Sequence, residues 1–174
     1  MTRLFKQFII VALLLPFSFA TLAQIKVGSK APNFNLSDQN SIQHQLSDYE
    51  GNWVILYFYP KDDTPGCTTQ ACDFRDAVKR IIASKSNVFG VSLDSVESHK
   101  RFADKNNLPF SLLSDESGEV SEAYDSLNNF MSFKSAKRNT FIIDPDGKVA
   151  KIYLSVKPSN HSQMVLNDLN QLQN

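Results

Sequence analysis

The 174-residue sequence contains only two cysteines, Cys67 and Cys72, and only three histidines. Two cysteines with no histidine close by cannot complete the four-ligand set of a structural zinc site. His44, His99 and His161 are far apart in the chain, and none has a ligand-type partner at metal-binding spacing. They read as surface or helix-side residues. A surplus of charge is missing too: 18 basic residues balance 18 acidic ones. With no basic run, nucleic acid is not an expected partner. Internal repeats and low-complexity tracts are absent. Asp144-Pro145-Asp146-Gly147 lacks the further spaced carboxylates of a calcium loop and reads as a turn. What remains is one compact domain, 42% apolar and 21% charged, long enough to bury a real core.

A long apolar run is also lacking. Phe8 to Ala20 is apolar apart from Ser18, but it contains Pro16 and is shorter than the about 20 residues of a spanning helix. Arg3 and Lys6 precede it without any acid, and Ala20 and Ala23 are candidate cleavage points. This is the layout of a secretory signal peptide over residues 1–23, ahead of a domain at 24–174. The expectation is an exported protein, periplasmic or secreted, with no stable membrane insertion after cleavage. An N-terminal membrane anchor is the competing reading. No cysteine follows the run closely, so lipid modification is not indicated.

Beyond residue 24, apolar periodicity and turn residues place short extended segments near Asn33 to Leu36 and Ile42 to Leu46. A strand covered on both faces follows at Trp53 to Tyr59, then a helix from Pro65 to about Ser84. Val88 to Leu93 is an apolar strand, and Val96 to Asn106 a helix capped by Ser95. Phe110 to Leu113 reads as a strand and Gly118 to Tyr124 as a short helix. Thr140 to Ile143 and Val149 to Leu154 form a hairpin, and a last helix spans about Ser159 to Gln171. This order implies an α/β layered domain with a mixed sheet.

Both cysteines lie where the covered strand gives way to the first helix. Thr64 suits the N-cap and Pro65 the first helical position. Cys67 then becomes the third helical residue, where unpaired N–H groups and the positive end of the helix dipole converge. That setting favours the thiolate, the reactive form of cysteine. Ala71, Phe74, Val78, Ile81 and Ile82 give the helix one apolar face.

Pro60-x-x-x-Thr64-x-x-Cys67, with Cys72 five residues on, resembles the active-site motif of peroxiredoxins, in particular the bacterioferritin comigratory protein or peroxiredoxin Q subfamily. Ala31 to Leu36, Gly90 to Ser95 with His99, Leu108 to Asp115 and Arg138 to Asp144 also resemble that family, in its order and spacing. The resemblance covers roughly Val27 to Leu169. It departs from the family at Tyr124-Asp125-Ser126, where Tyr-Gly-Val is more usual, and it does not extend to Leu127–Lys137. It implies a thioredoxin-like fold, a central mixed β-sheet flanked by helices. It also implies a thiol peroxidase acting on hydrogen peroxide and organic hydroperoxides, with no cofactor, reset by a thioredoxin-like dithiol protein; the absence of an evident dimer segment favours a monomer.

The resemblance assigns roles residue by residue. Cys67 becomes the peroxidatic nucleophile, otherwise a buried structural thiol. Cys72 becomes the resolving thiol, with a permanent disulfide as the alternative for an exported chain. In a continuous helix, five residues rise about 7.5 Å and turn Cys72 about 140° away from Cys67. The helix must therefore open before the two could pair. Thr64 is expected to cap the helix through its side chain and, by resemblance, to contact thiolate and peroxide. Pro60 ends a strand and, by resemblance, shields the thiolate from water. Arg138 alone would be a solvated surface residue; by resemblance its guanidinium holds the thiolate and polarises the peroxide. Lys137 would point to the opposite face. A competing function is a thiol–disulfide oxidoreductase of thioredoxin-like fold, but those enzymes use Cys-x-x-Cys, unlike this spacing. A non-catalytic module with a static disulfide is the third reading.

Overall fold

The computed structural model describes residues 25–131 and 133–174. The signal-peptide reading falls on residues 1–23 and so lies outside the described residues. Among the described residues, four α-helices pack around a seven-stranded mixed sheet, whose strand order is β2-β1-β5-β4-β3-β8-β9. The strands are β1 (Asn35–Asp38), β2 (Gln43–Gln45), β3 (Trp53–Phe58), β4 (Ser86–Ser92), β5 (Ser111–Ser114), β8 (Thr140–Ile143) and β9 (Val149–Tyr153). Two further strands, β6 (Leu127–Phe130) and β7 (Phe133–Ala136), pair only with each other. The helices are α1 (Pro65–Ala83), α2 (Val96–Asn106), α3 (Glu119–Ala123) and α4 (His161–Leu172).

β3 runs parallel to β4 and antiparallel to β8, so it lies inside the sheet. Its residues alternate between two cores, as the two-residue period of a strand demands. Ile55, Tyr57 and Tyr59 face α1 and α4, packing with Cys67, Phe74, Ile81, Val165 and Leu169. Val54, Leu56 and Phe58 face the other layer, with Phe89, Val91, Tyr124, Phe141 and Ile143. Each layer keeps one face of β3 dry, which explains the unbroken apolar run in the sequence.

Most expected elements are present with ends shifted by at most two residues. Ser95 caps α2 as expected, its side chain accepting from the Ser98 amide. Asp144 Oδ1 accepts from the amides of Asp146 and Lys148, closing the expected turn. The β6–β7 hairpin was not expected, because its residues are largely exposed and carry no alternating apolar face. Asp125 sits at φ +50°, a left-handed conformation. That is the backbone reason a glycine is the more usual residue there.

Gly90 in β4 lies directly under the Tyr57 ring. A Cβ at that position would fall 2.7 Å from Tyr57 Cζ and 2.8 Å from Leu112 Cδ2. Gly90→Ala is therefore expected to destabilise the fold by about 1–3 kcal/mol through overpacking. Urea unfolding at constant slope measures this, and an unchanged midpoint would show that Tyr57 moves aside freely.

Candidate active site

Three elements build the site: the end of β3, the start of α1 and the approach to β8. Thr64 has extended backbone angles, and α1 begins at Pro65. Cys67 is the third residue of α1 and is only 1% exposed. On the other side, the β3–β8 register pairs Tyr57 with Thr140. The Phe58 amide donates to the Asn139 carbonyl at 2.8 Å, continuing that pairing. Arg138 is thereby carried to the mouth of α1. Its Nη2 donates to Cys67 Sγ at 3.3 Å, and its Nη1 donates to Gln70 Oε1 at 2.6 Å. Arg138 thus sets a fixed cation beside Cys67 at the start of α1, where the unpaired amides of the helix also converge.

Gly66 makes room for this contact. A Cβ there would lie 3.3 Å from Arg138 Nη2 and 3.4 Å from Pro158 Cγ. Pro60 is half-buried and follows β3 directly. Cys72 is half-buried on the same continuous helix, and both cysteines are free thiols. The structure is thus the dithiol state, and pairing would require α1 to open.

The structure brings Cys67 and Arg138 into contact and leaves Cys72 apart from them. It corrects the expectation for Thr64. No side-chain cap is made at the helix start; the hydroxyl donates back to the Lys61 carbonyl at 3.0 Å. The helix is tied to Thr64 through its backbone carbonyl, which accepts from the Thr68 amide. The hydroxyl has turned into the 61–64 loop, where a nearby carbonyl competes for it.

The histidines are a second correction: none is a simple surface residue. His99 is fully buried, with Nδ1 2.9 Å from Asp62 Oδ2 and Nε2 3.2 Å from the Leu113 carbonyl. His44 is partly buried against Asp38 Oδ2 at 3.2 Å. His161 is buried, its Nε2 3.0 Å from Thr140 Oγ1, between the edges of Phe74 and Tyr153. A signal for two of them was present in the helical spacing. His99 shares the buried stripe of Phe102 and Ala103, and His161 that of Val165. Gln70 was also missed. It is buried, anchors Arg138, and leaves its Nε2 without a partner, as is the buried Tyr57 hydroxyl among the described residues. Nothing local in the sequence reports it, because its partner lies 68 residues away. Among the described residues, no group of three His, Cys, Asp or Glu is placed to hold a metal ion.

A thioredoxin-like sheet that sets an arginine against a cysteine in the first turn of a helix defines a thiol-based redox enzyme. The AhpC/TSA family model matches residues 27–152, and the chain belongs to that family. It is 42% identical to Peroxiredoxin Bcp of Bacillus subtilis over 149 residues, covering 83% of this chain and 95% of that relative. It is 40% identical to the chloroplastic Peroxiredoxin Q of Sedum lineare, covering 86% and 81%. Among solved structures, a Xylella fastidiosa PrxQ mutant superposes with a TM-score of 0.82 at 32% identity, covering 87% and 99% of the two chains. Peroxidoxin BcpB from Mycobacterium tuberculosis gives a TM-score of 0.80 at 32% identity, covering 85% and 98%. The chain is accordingly a peroxiredoxin, a thiol-dependent peroxidase of thioredoxin-like fold.

Burial lowers the His161 pKa from the ordinary 6.5 to about 4, opposed in part by the charge of Asp73 and assisted to a smaller extent by that of Arg138. His161 is therefore neutral in the native state, while the unfolded chain takes up a proton below about pH 6.5. Stability should fall as pH drops from 7 towards 4, by about 2 kcal/mol between pH 7 and pH 5 from this group alone. Urea midpoints for wild type and His161→Gln check this; the same slope in both would remove His161 as the cause.

Proposed function

We propose that Cys67 reduces hydroperoxides and that Cys72 resolves the product. The observation that carries this reading is the 3.3 Å contact from Arg138 Nη2 to Cys67 Sγ at the start of α1. The Cys67 thiolate attacks one peroxide oxygen, and the O–O bond breaks. Sulfur keeps that oxygen as a sulfenic acid, and the other leaves with a proton as water or an alcohol. Arg138 offers a fork of donors where negative charge builds up. Pro60 and Thr64 flank the approach to the thiol. Cys72 sulfur then attacks Cys67 sulfur, water leaves, and a disulfide forms. A dithiol protein of the thioredoxin kind reduces it by exchange.

Both hydrogen peroxide and organic hydroperoxides fit this chemistry. A structural relative, the Xanthomonas campestris bacterioferritin comigratory protein, is described for alkyl peroxide reduction, at 32% identity and a TM-score of 0.77. The enzyme acts as a monomer, with no nucleic-acid partner. Export rests on the charged start, short apolar run and small residues at its end. Among the described residues no helix is long and apolar enough to cross a membrane.

Stopped-flow mixing of the dithiol protein with hydrogen peroxide, read by fluorescence of Trp53, tests the reaction. Cys67→Ser is expected to abolish it, and Cys72→Ser to halt it at the sulfenic acid. Arg138→Ala is expected to slow the first step about 100-fold, as for loss of one donor to a charged transition state. Arg138→Lys should recover part of the rate, since a point charge cannot reproduce the planar fork. A wild-type rate in Arg138→Ala would remove the arginine from the chemistry.

Location has its own test. The intact mass of protein recovered outside the cytoplasm should correspond to a start near Thr21 or Gln24. A full-length, membrane-bound product would establish the anchor instead.

A further inference from the structure

The peroxidase chemistry leaves one buried polar cluster unused. Asp62 and His99 are 7% and 0% exposed. Burial raises the Asp62 pKa, but the hydrogen bond and charge of His99, with the hydroxyls of Tyr59 and Ser98, hold it below the usual range. The carboxylate is therefore ionised and accepts from every side. Tyr59 Oη donates to Oδ1 at 2.8 Å, while Ser98 Oγ and His99 Nδ1 reach Oδ2 at 2.8 and 2.9 Å. The Asp62 amide is also held, donating to Asp94 Oδ2 at 2.9 Å. These partners lie just past the end of β3, on α2 and just past the end of β4, none on α1.

Downstream, the next strong tether outside the helix is at Asp73, whose Oδ2 accepts from the Ser162 amide at 2.6 Å, at the start of α4. Between the two tethers, the side-chain bonds of Thr64 and Thr69 are local, to Lys61 and Pro65. The other polar cross-links are the exposed Asp63–Lys105 pair and the contacts of Arg138 with Cys67 and Gln70, while Cys67 and Ala71 also pack into the core beside Phe74. Both cysteines fall within this bracketed segment.

We propose that His99 and Asp62 are positioning residues that form the fixed upstream end of the segment that opens for disulfide formation, and so set how readily it opens. The proposal rests on the thiol-peroxidase reading. Opening is required before Cys72 can reach Cys67, so the pair governs the balance between resolution and further oxidation. A sulfenic acid not yet resolved can be oxidised by a second peroxide, which adds one oxygen to sulfur to give a sulfinic acid and releases water or alcohol. A firm anchor slows resolution and favours that branch.

The test uses the full dithiol protein. Tyr59→Phe and Ser98→Ala each remove one hydrogen bond to Asp62 and keep the His99 contact, and His99→Gln removes the imidazole. Each milder variant is expected to raise local opening of residues 63–72 about tenfold, the cost of one hydrogen bond to a charged group. Hydrogen exchange should show this with protection in β3, β4 and α4 unchanged. Disulfide formation after peroxide addition should quicken by a similar factor, and sulfinic acid at excess peroxide should fall. Oxidation of Cys67 itself should stay within about twofold of wild type. A uniform loss of protection across the fold, or wild-type rates of disulfide formation, would overturn the anchor and leave the cluster purely structural. If wild-type Cys67 does not react with peroxide, the peroxidase reading fails instead. Exchange in the dithiol variants would still decide whether the pair controls opening.

Discussion

Leu56 opposite Phe141 and Tyr57 opposite Thr140 fix where Arg138 leaves the sheet. The site hangs on that register. A slip of one residue between β3 and β8 would send Phe141 and Ile143 from one core to the other and carry Arg138 away from α1. The register is held by burial on both faces, since all four residues of β8 are inaccessible to solvent. The polar contact at Cys67 is therefore positioned by apolar packing several residues away. Gln70 and Gly66 complete the fit from the α1 side, one holding the guanidinium and the other leaving it space.

The parts of this arrangement that follow from local rules were legible in the chain. The apolar run into Pro60 identified a strand covered on both sides, and Thr64-Pro65 marked the helix start. Arg138 was different: nothing in its own surroundings separates it from a surface residue, and only the resemblance to peroxiredoxins placed it at the thiol. Asp62, His99 and Gln70 were missed for a related reason. Their partners lie 37 or 68 residues away, so no local pattern reports them. A polar residue on a buried stripe is visible in sequence, but its partner is not. Thr64 shows the converse limit. Its position was read correctly, but its hydroxyl had two nearby acceptors or donors to choose from, and the Lys61 carbonyl won.

The first turns of α1 must satisfy two opposed demands. They must hold Cys67 against Arg138 for reaction with peroxide, and they must come apart so that Cys72 can reach the same sulfur. The composition suits a helix that opens from this end. Gly66, Thr68 and Thr69 are poor helix formers, costing about 1 kcal/mol for the glycine and about half that for each threonine relative to alanine. Further along, Phe74, Ala77 and Ile81 are buried against the sheet and α4, so the rest of the helix has a reason to stay.

What holds the weak end closed is largely tertiary. The Arg138 guanidinium binds Cys67 and Gln70 together, bridging the first turn of the helix to the approach to β8. The bond to Cys67 is strongest while that sulfur carries a full negative charge. Oxidation to the sulfenic acid disperses or neutralises that charge, weakening the tie that kept the turn in place. The chemistry of the first step thereby loosens the structure that the second step needs open. The tethers at Asp62 and Asp73 carry no such dependence on the redox state of Cys67, because neither touches its sulfur. The opening is confined between them, and the two cysteines remain on one short stretch of chain while they search for each other.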